Sequence, residues 1–279
     1  NSTEGMLRRY IATKRIEGKA ESTLRRYWEQ NLKLIQFLQK PLHEITTDDI
    51  RFYMAYRRQQ GRVSNRTLDG MRRCYRSFFS WLSAEGIISR NPCAALNRIK
   101  SRKQIKKPYS AVELELIRKS CTDDRDLALV EFLYSTGCRV SEVSELDTVD
   151  IDMATGECIV IGKGNKERTV YLTDVAMLHL QTYLNNRTDN SIALFAGKGT
   201  PRLTKGGIET LLKRIGRAAG VENVHPHRFR RTLATNLLDR GMNIQDVAMI
   251  LGHADLKTTQ IYCYITQTNV KSAYRKYAA

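Results

Sequence analysis

The chain has 279 residues, enough for one large domain or two ordinary ones with a substantial core. Apolar residues are interspersed among the charges, which excludes global disorder, and no apolar run approaches the roughly 20 residues that cross a bilayer. The formal net charge of +17 is unevenly divided: through Lys107 there are 24 Lys and Arg against 9 Asp and Glu, and from Pro108 onward 22 against 20. A polyanion-gripping module joined to a near-neutral one is expected. Solubility or attraction to anionic lipid would also use positive charge. Nucleic acid is preferred because the basic residues alternate with amphipathic helical patterns and do not form a tail. The chain starts at Asn1, as expected of a processed or trimmed N-terminus, and no basic-then-apolar leader opens it.

In chain order, the basic third reads as successive helices. Thr3 to about Ile16 and Ser22 to about Leu38 carry apolar residues at helical spacing, including Leu24, Tyr27, Leu32, Ile35 and Leu38. Thr47, followed by Asp48, Asp49 and Ile50, resembles an N-cap with acidic residues in the first turn. Ser64 or Asn65 opens a long helix through Leu68, Met71, Tyr75, Phe78, Phe79 and Leu82. Arg66, Arg72, Arg73 and Arg76 decorate it, and Gly86 stops it. Arg98 to Lys107 is polar, basic and ends before Pro108, the pattern of an interdomain linker. Such a run is either merely solvated or lies along DNA phosphates. The expected organisation is a helical DNA-binding domain over 1–97, a basic linker over 98–107 and a second domain over 108–279.

The second domain opens with Ser110 and Glu113 at capping-box spacing, ahead of Leu114 and Ile117. Another helix runs through Leu127 to Tyr134. Residues 158–172 read as CIVI, GKGNKER and TVYL, a β-hairpin around a Gly-rich basic turn. Helices resume after Asp174, and Val270, Ala273, Tyr274 and Tyr277 mark a final amphipathic one. The fold class is therefore mainly α in two domains, the second carrying a small antiparallel β-sheet. Cys74, Cys93, Cys121, Cys138, Cys158 and Cys263 form neither a CxxC pair nor a Cys/His cluster at metal spacing. A reduced, cytoplasmic protein with no metal and no cofactor is expected.

Two arginines stand in apolar helical settings. In a helix restarting after Gly137, Arg139 shares a face with Val143 and Leu146; Arg230 lines up with Leu233, Ala234 and Leu237. An arginine in an apolar stripe is costly unless its charge is paired. A buried salt bridge, for example Arg139 to Glu142 or Glu145, would pair one of them. Two of them beside histidines favour a phosphate site, because a planar guanidinium donates two parallel hydrogen bonds to phosphate oxygens. His227 lies three residues before Arg230, just after the first-turn residue Pro226. His253 follows Gly252, which ends a helix beginning near Ile244. Tyr262 and Tyr264 are candidate nucleophiles; a phenol of ordinary pKa, about 10, is protonated at neutral pH and needs help to attack.

TGCRVSE (136–142), IGKGNKER (161–168), HPHRFRRTLAT (225–235) and LGHADLKTTQIY (251–262) stand in that order. Segment by segment they resemble the signatures of the tyrosine recombinase (phage integrase) family, most nearly its short Xer-type members. The N-terminal region resembles the family's SAM-like core-binding domain more weakly. The resemblance implies two domains forming a C-shaped clamp on DNA. It also implies that Arg139 and Arg230 hold the oxygens of the scissile phosphate and that Lys163 protonates the leaving 5′ oxygen. His227 would assist proton transfer, His253 would hydrogen-bond the phosphate, and Tyr262, favoured over Tyr264, would attack to leave a 3′-phosphotyrosyl bond. Lys166 and Arg168 would grip phosphates. Arg72, Arg73 and Arg76, with Lys103 and Lys106 of the linker, are further candidates for DNA contact.

The implied partners are double-stranded DNA recombination sites and three further copies of the chain, a homotetramer linked by exchange of the C-terminal helix. The implied reaction exchanges two strands in sequence through a Holliday junction, without ATP and without a membrane. Arg231 and Tyr264 stand where histidine is frequent in the family, and Cys138 where a larger apolar residue is usual. These departures leave every catalytic group in place but favour integration or excision of a mobile element over Xer-type chromosome or plasmid dimer resolution.

Two other functional classes fit parts of the sequence. A metal-dependent transposase or nuclease needs clustered carboxylates; Asp123, Asp124 and Asp126 suit a helix cap better, and Asp150 and Asp152 a turn before the hairpin. A DNA-binding regulatory module without chemistry would need only the basic N-terminal half; the intact motif set argues against it.

Overall fold

The computed structural model describes residues 2–61, 63–101, 107–162, 165–253 and 255–263. The chain divides into two compact units, Asn1–Gln104 and Ile105–Ala279.

The first unit contains α1 (Thr3–Ile16), α2 (Glu21–Leu38), α3 (Thr47–Gly61) and α4 (Asn65–Ala84). α4 is the spine: Leu68, Met71, Tyr75, Phe78, Phe79 and Leu82 form the buried stripe expected from their spacing. Tyr10 of α1 meets Phe78 edge-on, with centroids 5.1 Å apart, and its hydroxyl donates to Ser77 Oγ at 2.8 Å. Ser64, the first of the two expected openers, caps α4 by accepting from Thr67 N. The cap of α3 is Thr46 and not Thr47. Thr46 Oγ1 accepts from Asp49 N, and the Asp49 carboxylate accepts from Thr46 N, a reciprocal pairing that needs a three-residue offset. Thr47 Oγ1 instead donates to Pro92 O.

The same helix packing corrects one DNA-contact expectation. Arg72 is only 7% exposed and its Nε lies 2.9 Å from Asp69 Oδ1, so its charge is spent inside the unit. Arg66, Arg73 and Arg76 remain on the exposed face.

The second unit contains α5 (Ala111–Lys119), α6 (Asp124–Thr136), α7 (Val140–Glu145), strands β1 (Ile151–Asp152), β2 (Glu157–Ile161) and β3 (Glu167–Tyr171), α8 (Asp174–Asn186), α9 (Lys205–Ala219), α10 (Pro226–Asp239), α11 (Ile244–Leu251) and α12 (Leu256–Cys263). α6 is apolar almost all round, with Ala128, Leu129, Val130, Phe132 and Leu133 buried, and it packs against α8 and α10. Asp123 caps it, as its carboxylate accepts from Asp126 N. The sheet is antiparallel in the order β1-β2-β3, pairing Cys158 with Val170 and Val160 with Arg168. β2 buries Cys158 and Val160 and exposes Glu157, Ile159 and Ile161, the period of a half-buried strand. β1, too short to show a pattern in sequence, adds a third strand to the expected hairpin.

Gly137 decides how the chain enters the site. It ends α6 at φ +60°, and a Cβ there would meet Leu233 Cδ2 at 2.9 Å and Leu251 Cδ2 at 3.1 Å. Only glycine satisfies both the left-handed turn and the close approach of α10 and α11. Among the described residues no helix is long and apolar enough to cross a membrane.

Candidate functional site

α10 starts on a fixed base. His225 N donates to Tyr109 Oη at 3.2 Å, Thr232 Oγ1 accepts from Tyr109 N at 2.8 Å, and the Arg228 guanidinium lies 4.1 Å from the Tyr109 ring centroid. One turn later, Arg230 points into the protein, 3% exposed. Its Nη1 donates to Gly137 O at 2.9 Å and its Nη2 to Leu251 O.

Arg139 does not sit in a helical stripe with Val143 and Leu146. α7 is only six residues long, Arg139 is its N-cap and Leu146 follows its last turn. The N-cap position turns the Arg139 side chain back over Glu142 and across to α11. Its backbone N and Nη1 both donate to the Glu142 carboxylate at 2.7 Å, and its Nη2 donates to Gly252 O at 3.0 Å. The salt bridge considered for Arg139 thus exists, with Glu142 and not the exposed Glu145, and it lies inside the arginine cluster.

Arg168 of β3, expected to grip phosphate, completes that cluster instead. Nη1 and Nη2 donate to the two oxygens of Glu142, each at 2.8 Å, and Nε donates to Ile250 O at 2.9 Å. Three consecutive carbonyls at the C-terminal end of α11, those of Ile250, Leu251 and Gly252, therefore each accept from a different arginine. That end of a helix is the negative pole of its dipole, which favours cations there.

Glu142 is the shared counterion. Burial alone would raise its pKa, but the bonds from Arg168 and Arg139 hold it at about 2. Against this one carboxylate stand the guanidiniums of Arg139, Arg168 and Arg230, an excess of two positive charges in a partly dry site. Burial and repulsion from Arg139 and Arg168 push Arg230 down to about 10, which leaves it protonated at neutral pH.

Gly252, at φ +61°, ends α11 and delivers His253. His253 Nδ1 lies 2.8 Å from Thr259 Oγ1. Burial, then the charges of Arg230, Arg139 and Arg168, lowers His253 to about 4, so its ring is neutral at pH 7. The Tyr262 ring stacks beside it, with centroids 6.2 Å apart and 25° between planes, and rests on Ala234, Val247 and Leu251. Tyr262 lies within electrostatic reach of Arg230 and Arg231.

His227 is exposed on the first turn of α10, one turn ahead of Arg230, its ring 6.4 Å from that of His225. Lys166 is exposed beside the hairpin turn, where its carbonyl accepts from Gly162 N at 2.8 Å. Lys163, Lys103, Lys106, Tyr264 and the final-helix residues Val270, Ala273, Tyr274 and Tyr277 lie outside the described residues. Among the described residues no group of three or more His, Cys, Asp or Glu could hold a metal ion.

The structure brings Arg139, Arg230, His253 and Tyr262 together. The sequence names Glu142 as one of two possible salt-bridge partners of Arg139, but not as the counterion that Arg168 shares, nor Thr259 as the partner of His253, nor the carbonyls that end α11. Glu142 had a signal, its i+3 offset from Arg139 on a short helix. The carbonyls had none. Chemically, an excess of directed guanidinium charge beside a neutral imidazole and a phenol suits a phosphate diester attacked by a tyrosine, because attack adds charge to the phosphate oxygens.

Comparisons with known proteins agree with this chemistry. Residues 101–268 match the model of the Phage integrase family, and residues 6–87 match that of the Phage integrase N-terminal SAM-like domain. Tyrosine recombinase XerC of Oceanobacillus iheyensis is 33% identical over 99% of this chain and 96% of its own. Tyrosine recombinase XerD of the same organism is 32% identical over 94% of each. Among solved structures, XerA recombinase aligns with a TM-score of 0.56 at 26% identity, covering 100% of this chain and 99% of its own. A lambda integrase dimer bound to a COC′ core site shares the fold, with a TM-score of 0.77 at 20% identity over 92% of this chain and 97% of that one.

Proposed function

This chain belongs to the phage integrase family of tyrosine recombinases, and we propose that it cuts and rejoins specific DNA sites through Tyr262. The family membership makes it a site-specific recombinase; the residue roles that follow are our reading. The Tyr262 oxygen attacks the scissile phosphorus and the bond from phosphorus to the 5′ oxygen breaks. Arg139 and Arg230 donate to the non-bridging oxygens as charge builds on them. His227 takes up the phenol proton, His253 donates to the phosphate as a neutral ring, and Lys163 protonates the departing 5′ oxygen. The 3′-phosphotyrosyl bond conserves the diester's energy, so a 5′-hydroxyl of another strand attacks it and releases Tyr262 without ATP.

The observation that carries this reading is the arginine cluster, with Arg230 buried and two charges in excess, set around Glu142 beside His253 and Tyr262. DNA recombination sites bound by four copies of the chain, two strand exchanges through a Holliday junction and action in the cytoplasm complete it. The Xer names of relatives 32–34% identical lend slight support to a Xer-type dimer-resolving role beside the mobile-element role expected from sequence. The test uses a nicked suicide substrate carrying the target site. The unaltered chain is expected to form a covalent DNA adduct and Tyr262→Phe to bind the same DNA without one. A normal adduct in Tyr262→Phe would remove Tyr262 from the role of nucleophile.

A further inference from the structure

Gly162 and Gly252, which precede Lys163 and His253 in the chain, both lie beside the Arg168 side chain. A Cβ on Gly252 would meet Arg168 Cδ at 2.8 Å and its Nε and Nη1 at 3.1 Å. A Cβ on Gly162 would stand 3.4 Å from Arg168 Nη1 and 3.5 Å from Glu142 Oε1. Arg168 is itself fixed at three points: two bonds to Glu142 and one to Ile250 O, with its side chain 10% exposed. With these donors aimed at the protein and both flanks covered by backbone, its charge is shaped to hold segments together.

We propose that Arg168 is a positioning residue for strand cleavage, a joint that fixes β3 and the end of α11 relative to Arg139. The inference rests on the recombinase reading and concerns a residue that contacts no reacting atom in it. Glu142 carries the coupling to Arg139, because each of its oxygens serves both arginines. The bond to Ile250 O carries the coupling to α11, two residues before Gly252 and three before His253. A lysine offers the same charge but lacks the planar fork that spans a carboxylate and a carbonyl together. Misplacing reacting groups by about 1 Å costs on the order of 10²-fold in rate.

Arg168→Gln and Arg168→Lys are compared with the unaltered chain for affinity to target DNA and for the rate of adduct formation at saturating DNA. The expected result is a rate lowered about 10²-fold in both variants, with affinity and its salt dependence unchanged. Weaker binding, a shallower salt slope and normal cleavage at saturation would make Arg168 a phosphate contact and overturn the proposal. Full rescue by Arg168→Lys would also overturn it, since charge alone would then suffice. Should Arg168→Gln not fold, Gly252→Asn provides the second arm. Asparagine tolerates a positive φ, so this change mainly intrudes on Arg168. It should slow cleavage at unchanged affinity, and normal cleavage would again refute the joint. Absence of any adduct from the unaltered chain overturns the recombinase reading itself, a different result from normal cleavage by the Arg168 variants.

Discussion

His253 and Thr259 are joined by a bond of 2.8 Å between Nδ1 and Oγ1, which ties the end of α11 to the first turns of α12. Thr259 is fully buried, and Tyr262 follows it by three residues on the same helix. The His253 ring and the helix that carries the Tyr262 phenol are therefore joined through one hydroxyl.

Thr259→Val keeps the shape of the side chain and removes that hydroxyl. Loss of one such bond is worth about 1 kcal/mol, so adduct formation at saturating DNA should fall by a factor of about 5–10. Thr259→Ser should restore most of it. A rate unchanged in Thr259→Val would show that the His253 ring is held by other contacts.

Acid should destabilise the protein over two pH ranges. His253 titrates at about 4 when folded against the ordinary 6.5, so below pH 6.5 the unfolded chain binds a proton that the folded chain does not. Stability on this account is complete above pH 6.5 and falls as pH approaches 4. Glu142, at about 2 against an ordinary 4.5, contributes stability above pH 4.5 that is lost towards pH 2. Thermal melts from pH 7.5 to 3 should show both limbs. His253→Gln should flatten the limb between pH 6.5 and 4 and leave the lower one; an unaltered upper limb would assign it to another group.

Arg230→Lys is not a conservative change here. A lysine cannot donate to Gly137 O and Leu251 O while also meeting a phosphate oxygen, because it lacks the fork. Cleavage should fall by about 10²–10³-fold, the usual effect of removing one transition-state donor, and the melting temperature should drop as buried carbonyls lose partners. Retention of more than about a tenth of the rate would place Arg230 outside the reacting shell.

Arg72 and Arg73 are adjacent in sequence and opposite in effect. Arg72→Ala leaves the Asp69 carboxylate, 16% exposed, without its main partner and should cost on the order of 3 kcal/mol in urea unfolding. The Arg73 side chain is 64% exposed, so Arg73→Ala should leave stability within about 0.5 kcal/mol. On the recombinase reading it should weaken DNA binding and reduce the salt slope by about 1. The reverse pattern would mean that Arg72 reaches DNA.

Elements with strong local periodicity were legible in the chain. The apolar spacing of α4, the capping box at Ser110 and Glu113, the β2–β3 alternation and the glycine stops at Gly137 and Gly252 all follow from contacts within a few residues. Arg139, Val143 and Leu146 share no helical stripe because α7 stops after six residues, and nothing local in the sequence marks that stop. Arg72 and Arg168 stand as candidates for DNA contact in the sequence because it shows a charge and not its neighbours. Thr46 and Thr47 are both plausible caps, and only the reciprocal bond with Asp49 separates them.

The sequence by itself determined the inventory: two arginines in apolar settings, a histidine held on a glycine turn, a tyrosine eleven residues past Leu251 and a basic N-terminal third. The tertiary structure alone decided which charges meet. It closed α6, α7, β3, α10 and α11 around one carboxylate and turned three arginines onto three consecutive carbonyls of α11. The reason is physical. Helical and strand periods are set by neighbours along the chain, whereas a buried charge is assigned by whichever distant groups can satisfy it once water is excluded.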